Sequence, residues 1–215
     1  MKRAFLAVAI SAAIVAAGAA ASGGPSLYNP PSLHKTAPAT FKAKFVTTKG
    51  NFVVQVTRSW APKGADRFYN LVYYHFYDNQ PLYRVQPGFI VQWGISMKPP
   101  IAKAWKTAYL NDDTPNNNDA KGTIAFAHVL GQKNTRTTQI FVNLAANLRN
   151  LGPSFPAFGK ITSGLSVFGH LYHGPGKNPG TYPYNYQSQM IANGGAWFHT
   201  WFPKYDWIKT ARLVP

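Results

Sequence analysis

The chain has 215 residues, of which 46% are hydrophobic and only 13% are charged. This composition excludes the low-hydrophobicity, high-charge signature of disorder, and the length suits one domain with extensions. There is no cysteine, which excludes disulfides, thiolate metal sites and a thiol nucleophile. The net charge is +16, and all six acids are aspartates. Carboxylate-pair catalysis and an oxygen-rich calcium cage are therefore disfavoured.

The N-terminus has the pattern of an export signal. Lys2 and Arg3 precede an apolar run from Ala4 to Ala17, and small residues continue to Ala21. A charged start, an apolar middle and an A-x-A end are typical of a secretory signal peptide. We therefore predict that residues 1–21 are a cleaved signal and that the protein is exported, periplasmic or secreted. An uncleaved membrane anchor is the alternative, because the run approaches the length that spans a bilayer.

The next segments predict a linker, a hairpin and a helix. Residues 22–40 are rich in Pro, Gly and Ser, which favours a flexible linker. Residues 41–57 alternate apolar and polar side chains on both sides of Lys49-Gly50, which predicts a β-hairpin. Apolar residues then recur at helical spacing after Pro62, which predicts a short amphipathic helix that ends near His75.

Short β-branched or aromatic stretches, bounded by turn residues, make up most of the rest of the chain. They are 82–85, 88–93, 122–129, 138–144, 156–161 and 207–214. Many short strands with few helices predict a β-barrel or sandwich. Residues 173–189 predict a long loop. A helix interrupted at Gly194-Gly195 and a last strand from Trp207 to Val214 are expected to follow.

The C-terminal segment carries three aromatic residues, Trp197, Trp201 and Phe202. We expect them to cover the barrel, because large exposed aromatic patches are uncommon in monomers. A docking patch for a partner is the alternative.

Several motifs in order resemble one known family. They are YRVQPGFIVQWG (83–94), GTIAFAH (122–128), NTRTTQIFV (134–142) and FGKITSG (158–164), preceded by the predicted hairpin and helix. Their order and spacing resemble the cyclophilin family of peptidyl-prolyl cis-trans isomerases over about residues 41–172. The resemblance implies a mainly-β fold, a closed eight-stranded antiparallel β-barrel capped by two helices. Residues 173–215 would then form a loop and a C-terminal extension that includes the last strand.

The resemblance also implies roles for individual positions. Arg84 matches the family's catalytic arginine, and Phe89 and Gln92 complete the catalytic set. The implied substrate-binding set is Ile90, Ala127, His128, Gln139, Phe141, Leu151 and Phe155. Two positions depart from the family pattern. Asn150 stands where many members have Trp or His, which puts cyclosporin binding in question. Phe155 stands where many have His, which makes the proline pocket more apolar.

These residue types suit rotation about an X-Pro bond. Amide resonance sets a barrier of about 18–20 kcal/mol, and no bond is made or broken. A catalyst must therefore bind the twisted amide better than either planar form. At the twist the prolyl nitrogen regains a lone pair, which the Arg84 guanidinium would meet while the apolar residues hold the ring. The mechanism needs no cofactor and no metal.

We therefore predict an isomerase that assists the folding of exported proteins, with proline-containing polypeptides as partners. The alternative is a cyclophilin-like binding module or holdase chaperone with little turnover.

The remaining polar residues predict little further chemistry. His170 and His173 would face opposite sides of a strand, so we predict no metal site there. The cations are scattered, which argues against nucleic acid and favours weak attraction to anionic envelope surfaces. We expect a monomer.

Overall fold

The computed structural model describes residues 24–116, 119–146, 154–174 and 183–215. Its centre is an antiparallel sheet that curls around an apolar core. The strands of the described residues are β1 Thr40–Thr47, β2 Gly50–Thr57, β3 Gln80–Pro81, β4 Arg84–Gln86, β5 Ile90–Trp93, β6 Thr123–Phe126, β7 Ile140–Asn143, β8 Ala157–Ser163 and β9 Trp207–Val214. Their order in the sheet is β3-β9-β1-β2-β8-β6-β7-β5-β4. The α-helices of these residues are α1 Pro62–Tyr73, α2 Pro99–Trp105 and α3 Gln187–Trp201.

The predicted hairpin is confirmed as β1 and β2. Thr47 lies opposite Gly50, whose φ of +129° is open to glycine and strained for other residues. The alternating pattern buries Phe45 and Phe52 on one face, with their rings stacked 4.8 Å apart. The hairpin therefore contributes a wall of the core.

The predicted helix is also confirmed. α1 begins at Pro62, where a missing N–H costs nothing. It buries Phe68 and Leu71 completely. The helix ends at Tyr73, and His75 follows at a φ of +62°. Helix α1 thus packs its apolar stripe against β8 and β9 of the sheet.

The mainly-β antiparallel fold is confirmed, but the closure differs from the expected eight-stranded barrel. The described sheet has nine strands, and its two edges are β3 and β4. Both edges belong to one continuous segment, 80–86, which pairs with β9 at Pro81 and with β5 from Arg84 onward. The buried pair Leu82 and Tyr83 joins them. The chain itself therefore bridges the two edges, and Arg84 is the first residue of an edge strand.

The described residues hold three α-helices instead of the expected two. The additional helix α2 begins at Pro99-Pro100 and buries Ile101 and Trp105. It packs against α3, whose predicted interruption is present at Gly194 (φ +70°, ψ −153°). A Cβ atom at Gly194 would lie 2.5 Å from the carbonyl oxygen of Met97. This close approach of α3 to the segment that leads into α2 requires glycine.

The aromatic residues in the last turn of α3 and directly after it behave in two ways. Phe202 is buried and Trp197 is half-buried against the core, as expected for a cover. Trp201, however, is 65% exposed.

The described part of the predicted linker lies against the domain. The carboxylate of Asp66 accepts a hydrogen bond from the Ala37 N–H, and Asn70 exchanges hydrogen bonds with the backbone of Lys35. The Trp105 indole N–H donates to the Leu27 carbonyl. Polar side chains of α1 thus fix a segment whose composition predicts a tether. The predicted signal, 1–21, lies outside the described residues. Within the described ranges, no helix is long and apolar enough to cross a membrane.

Candidate active site

A cleft of about 460 Å³ opens on the outer face of the sheet, beside β4, β5 and β7. Nine of the ten predicted site residues line it: Arg84, Phe89, Ile90, Gln92, Ala127, His128, Gln139, Phe141 and Phe155. The tenth, Leu151, and the departure at Asn150 lie outside the described residues. Residues that are up to 71 positions apart in the sequence therefore meet in one cleft.

Strand alternation explains why these residues share a face. In β5, Val91 and Trp93 point into the main core, so Ile90 and Gln92 point outward. In β7, Phe141 points outward by the same rule and lies opposite Gln92 in the register. All four residues of β5 are nevertheless buried, because the outer face is covered as well.

The apolar part of the cleft is a cluster separate from the main core. It consists of Ile90, Ala125, Phe141 and Phe155, with Phe89 and Ala127 packed at its edge. The rings of Phe141 and Phe155 meet edge to face at 5.6 Å, and the His128 ring stacks on Phe155 at 4.1 Å. This arrangement forms a slot with aromatic walls.

Arg84 lies at the mouth of the slot. Its Nη1 donates to Oε1 of Gln92 at 3.0 Å, and its Nη2 donates to Gln86 at 3.4 Å. The guanidinium carbon lies 5.9 Å from the ring centroid of Phe89 and 4.5 Å from that of Tyr184. The cation is therefore held by neutral groups on several sides.

A chain of amides continues from Gln92. Its Nε2 donates to Oε1 of Gln139 at 2.9 Å, and Nε2 of Gln139 donates to Oε1 of Gln187 at 2.9 Å. The Tyr83 hydroxyl donates to the same oxygen of Gln139. Burial raises the pKa of Tyr83 well above its ordinary value, so the hydroxyl keeps its proton.

Sequence reasoning missed several cleft residues. Tyr184 and Gln187 lie in and just after a short 3-10 turn, within a stretch whose composition predicts a loop. Nothing in their local sequence indicates the cleft, because only the tertiary fold brings them there. Val129 and Leu130 at the rim are 52% and 77% exposed. They directly follow the GTIAFAH motif, which was the available signal.

A buried ion pair supports the cleft wall from behind. The side chain of Arg136 is 1% exposed, and its Nη1 lies 2.9 Å from Oδ2 of Asp113. Asp113 also accepts the backbone N–H groups of Lys63 and Gly64 at the start of α1. Arg136 directly precedes Thr137, which lines the cleft. A charged residue is rarely buried so completely, so the sequence alone did not indicate this role.

A larger cavity of about 620 Å³ lies between α2, α3 and the end of α1. None of the predicted site residues lines it. Among the described residues, no group of three or more His or Asp side chains is placed to hold a metal ion.

Comparison with known proteins agrees on one family. The family model for cyclophilin type peptidyl-prolyl cis-trans isomerases matches residues 42–188. Peptidyl-prolyl cis-trans isomerase A of Dickeya dadantii is 29% identical over 142 residues, which are 63% of this chain and 73% of that protein. A peptidyl-prolyl cis-trans isomerase of Acinetobacter baylyi is 26% identical over 133 residues, 60% and 70% of the two chains.

Solved structures agree on the fold. A cyclophilin type peptidyl-prolyl cis-trans isomerase of Cryptosporidium parvum matches with a TM-score of 0.61 and 18% identity, covering 82% of this chain and 98% of that one. The structure of that protein in the presence of the dipeptide Ala-Pro matches with a TM-score of 0.59, also at 18% identity, covering 81% and 99%. At such identity the likeness shows a shared fold.

Proposed function

Because the chain belongs to the family of cyclophilin-type peptidyl-prolyl cis-trans isomerases, we propose that it assists the folding of exported proteins and that Arg84 stabilises the twisted prolyl amide. The family model and the named bacterial relatives support peptidyl-prolyl isomerase activity for this chain. The finer proposal rests chiefly on one observation, the position of the Arg84 guanidinium at the mouth of a separate apolar slot.

The slot suits a pyrrolidine ring. Its walls are Ile90, Phe141 and Phe155, each less than a tenth exposed. A ring held there stays in place while the carbonyl of the preceding residue rotates. Since the walls exclude water, a hydrogen bond at the mouth of the slot is stronger than in bulk solvent. Because Phe155 makes this wall of the slot apolar, the slot would recognise the pyrrolidine ring by its shape.

The Arg84 guanidinium supplies the donor. As the amide twists, the prolyl nitrogen loses its resonance and regains a lone pair, which accepts a hydrogen bond only near the transition state. An interaction made only there lowers the barrier without tightening the ground state. The hydrogen bond from Arg84 to Gln92 holds the donor in advance, so little reorganisation is needed. Gln92 and the backbone at His128 would steady the flanking peptide groups.

The export part of the proposal rests on the N-terminal sequence. The charged start, apolar run and A-x-A end of residues 1–21 support it, and the absence of cysteine is compatible with an oxidising compartment. Mass spectrometry of the exported protein tests the cleavage. A mature chain that still begins at Met1 would contradict it.

A proline-binding module or holdase with little turnover is the second candidate. The exposed side chains of Val129 and Leu130 at the cleft rim favour it, because they offer apolar surface to an extended client. Catalysed refolding of a proline-limited protein separates the two candidates. Binding without acceleration selects the second.

Exchange kinetics on a proline tetrapeptide test the role of Arg84. We expect Arg84→Ala to lower kcat/KM by about one to three orders of magnitude, the range typical of a single electrostatic donor. Lys103→Ala is the control, because it removes one cation from the exposed face of α2, outside the cleft. An unchanged rate in Arg84→Ala would refute the role.

A further inference from the structure

The turn that leads into α3 contacts the cleft with two side chains. The Tyr184 ring centroid lies 4.5 Å from the guanidinium carbon of Arg84. One turn later, Oε1 of Gln187 accepts the Nε2–H of Gln139 at 2.9 Å. Neither residue belongs to a strand of the sheet. The turn therefore completes the cleft from outside the barrel.

Both contacts lead to Arg84. Tyr184 reaches it directly through its ring. Gln187 reaches it through the amide chain, because Arg84 donates to Gln92, Gln92 to Gln139 and Gln139 to Gln187. Every member donates in the same direction, so turning over one of the two internal amides would break two hydrogen bonds at once. The turn thus restricts the cation by two independent routes.

Arg84 needs such support because of its position. It is the first residue of the edge strand β4, and its side chain is only half-buried. A free arginine side chain samples many rotamers. When a donor side chain is spread over several rotamers, it is less often in position to meet a transient lone pair, and the reaction is slower.

The turn itself is firmly anchored. It runs directly into α3, which buries Met190 and Phe198 completely in the main core. Pro183, at the start of the turn, is also buried. The Tyr184 ring is therefore fixed relative to the sheet that carries Arg84.

We propose that Tyr184 is a positioning residue for catalysis, whose ring stacks on the Arg84 guanidinium and holds it at the mouth of the proline slot. This inference rests on the proposed function, since it assumes that Arg84 acts on the prolyl nitrogen. The ring face is what matters, because a cation is attracted to the π-electrons and the hydroxyl takes no part in the stack.

Substitutions at Tyr184 distinguish the contribution of the ring from that of the hydroxyl. The attraction between a guanidinium and an aromatic ring corresponds to a change in rate of about two- to thirtyfold. We expect Tyr184→Leu to lower kcat/KM for a proline tetrapeptide about tenfold, with the loss in kcat. Tyr184→Phe keeps the ring and should stay within about twofold of wild type. A loss in Tyr184→Phe equal to that in Tyr184→Leu would overturn the proposal.

Tyr73 offers a matched control. Its ring lies 4.7 Å from the Lys35 ammonium and is 44% exposed, away from the cleft. Tyr73→Leu removes the same kind of contact and should leave kcat/KM unchanged. A similar loss in both leucine variants would mean that the effect is general destabilisation, which would overturn the positioning role.

A double-mutant cycle tests whether Tyr184 acts through Arg84. If it does, Tyr184→Leu has no further effect in the Arg84→Ala background. Losses that multiply would instead mean that Tyr184 touches the substrate directly, which contradicts positioning. The two proposals fail in different ways. An active Arg84→Ala enzyme refutes the proposed function, whereas an impaired Arg84→Ala beside a fully active Tyr184→Leu refutes only this inference.

A measurement on the unaltered protein covers the case in which Tyr184→Leu does not fold. In the NMR spectrum, we expect the guanidinium protons of Arg84 to be shifted upfield by the ring current and to show cross-relaxation with the Tyr184 ring. The absence of both signals would overturn the proposal.

Discussion

Removal of the buried charge of Asp113 should destabilise the protein strongly. Asp113→Asn keeps the shape of the side chain but takes the negative charge away from Arg136, whose side chain is 1% exposed. Breaking a buried ion pair costs about 3–5 kcal/mol, and here it leaves Arg136 with only the partly exposed Asp112 carboxylate. The variant also weakens the anchoring of α1, because in the wild-type protein the Asp113 carboxylate accepts the N–H groups of both Lys63 and Gly64. An amide oxygen can replace only part of that interaction.

Thermal and urea unfolding measure the loss. For a chain of this size, 1 kcal/mol corresponds to about 2–4 °C, so we expect the Tm of Asp113→Asn to fall by roughly 6–20 °C. Asp112→Asn is the matched control. Its carboxylate lies 3.3 Å from Nε of the same arginine but is 33% exposed, so the loss should be within about 1 kcal/mol.

A second variant tests whether the loss of the buried partner of Arg136 causes the destabilisation. Asp113→Asn combined with Arg136→Met removes both charges and should recover part of the stability, because an apolar side chain carries no desolvation cost. If Asp113→Asn loses less than about 1 kcal/mol, or if the double variant is no more stable than the single one, the pair does not support the fold as described.

Two further predictions concern stability. Burial tends to raise the pKa of Asp66, but hydrogen bonds from the Arg58 side chain and the Ala37 N–H outweigh it, so the pKa is lowered below 3.8. The ionised carboxylate therefore adds to the free energy of unfolding above the unfolded-state pKa, and this contribution is lost as the pH falls through the lowered value. Unfolding measured across acidic pH should show the difference in free energy of unfolding between wild type and Asp66→Asn disappearing in that range. A difference that stays constant would contradict the prediction. Gly194→Ala should cost about 1–3 kcal/mol in urea unfolding, because its backbone conformation is strained for alanine and its Cβ would meet the Met97 carbonyl. Gly169→Ala, with open space around its Cβ, is the control and should cost less.

The sheet and most of the cleft were predictable because both follow from local patterns. Successive side chains of a strand point to opposite faces of the sheet, so Val91 lies in the core and Gln92 lies outside it. The glycine pair at 194–195 predicted the interruption of α3, because a helix interior disfavours glycine. The order and spacing of the motifs predicted that Arg84, Phe89 and Phe141 belong to the site.

The parts that escaped prediction depend on contacts between distant segments. Helix α2 begins at Pro99-Pro100 and was not predicted, because it depends on the buried surface that Ile101 and Trp105 contact. The composition of segment 22–40 predicts a tether, yet Asp66 and Asn70 bind the backbone of its described part. Tyr184 reaches the cleft only because α3 is anchored elsewhere. No pattern within a window of ten residues carries that information.

Among the arginines of the described residues, Arg67 and Arg84 pair with no aspartate, and of these two only Arg84 lines the cleft. Arg58 and Arg212 each pair with one aspartate and Arg136 pairs with two, so these arginines occupy four of the six acids of the chain. Arg84 is held instead by amides and aromatic rings, and no ion pair to it is present among the described residues. A carboxylate partner would compete with a prolyl nitrogen for the same N–H groups, whereas neutral partners orient the guanidinium and leave its charge available. The scarcity of acids is therefore consistent with the proposed mechanism, since three other arginines take four of the carboxylates and the arginine at the slot is positioned without one.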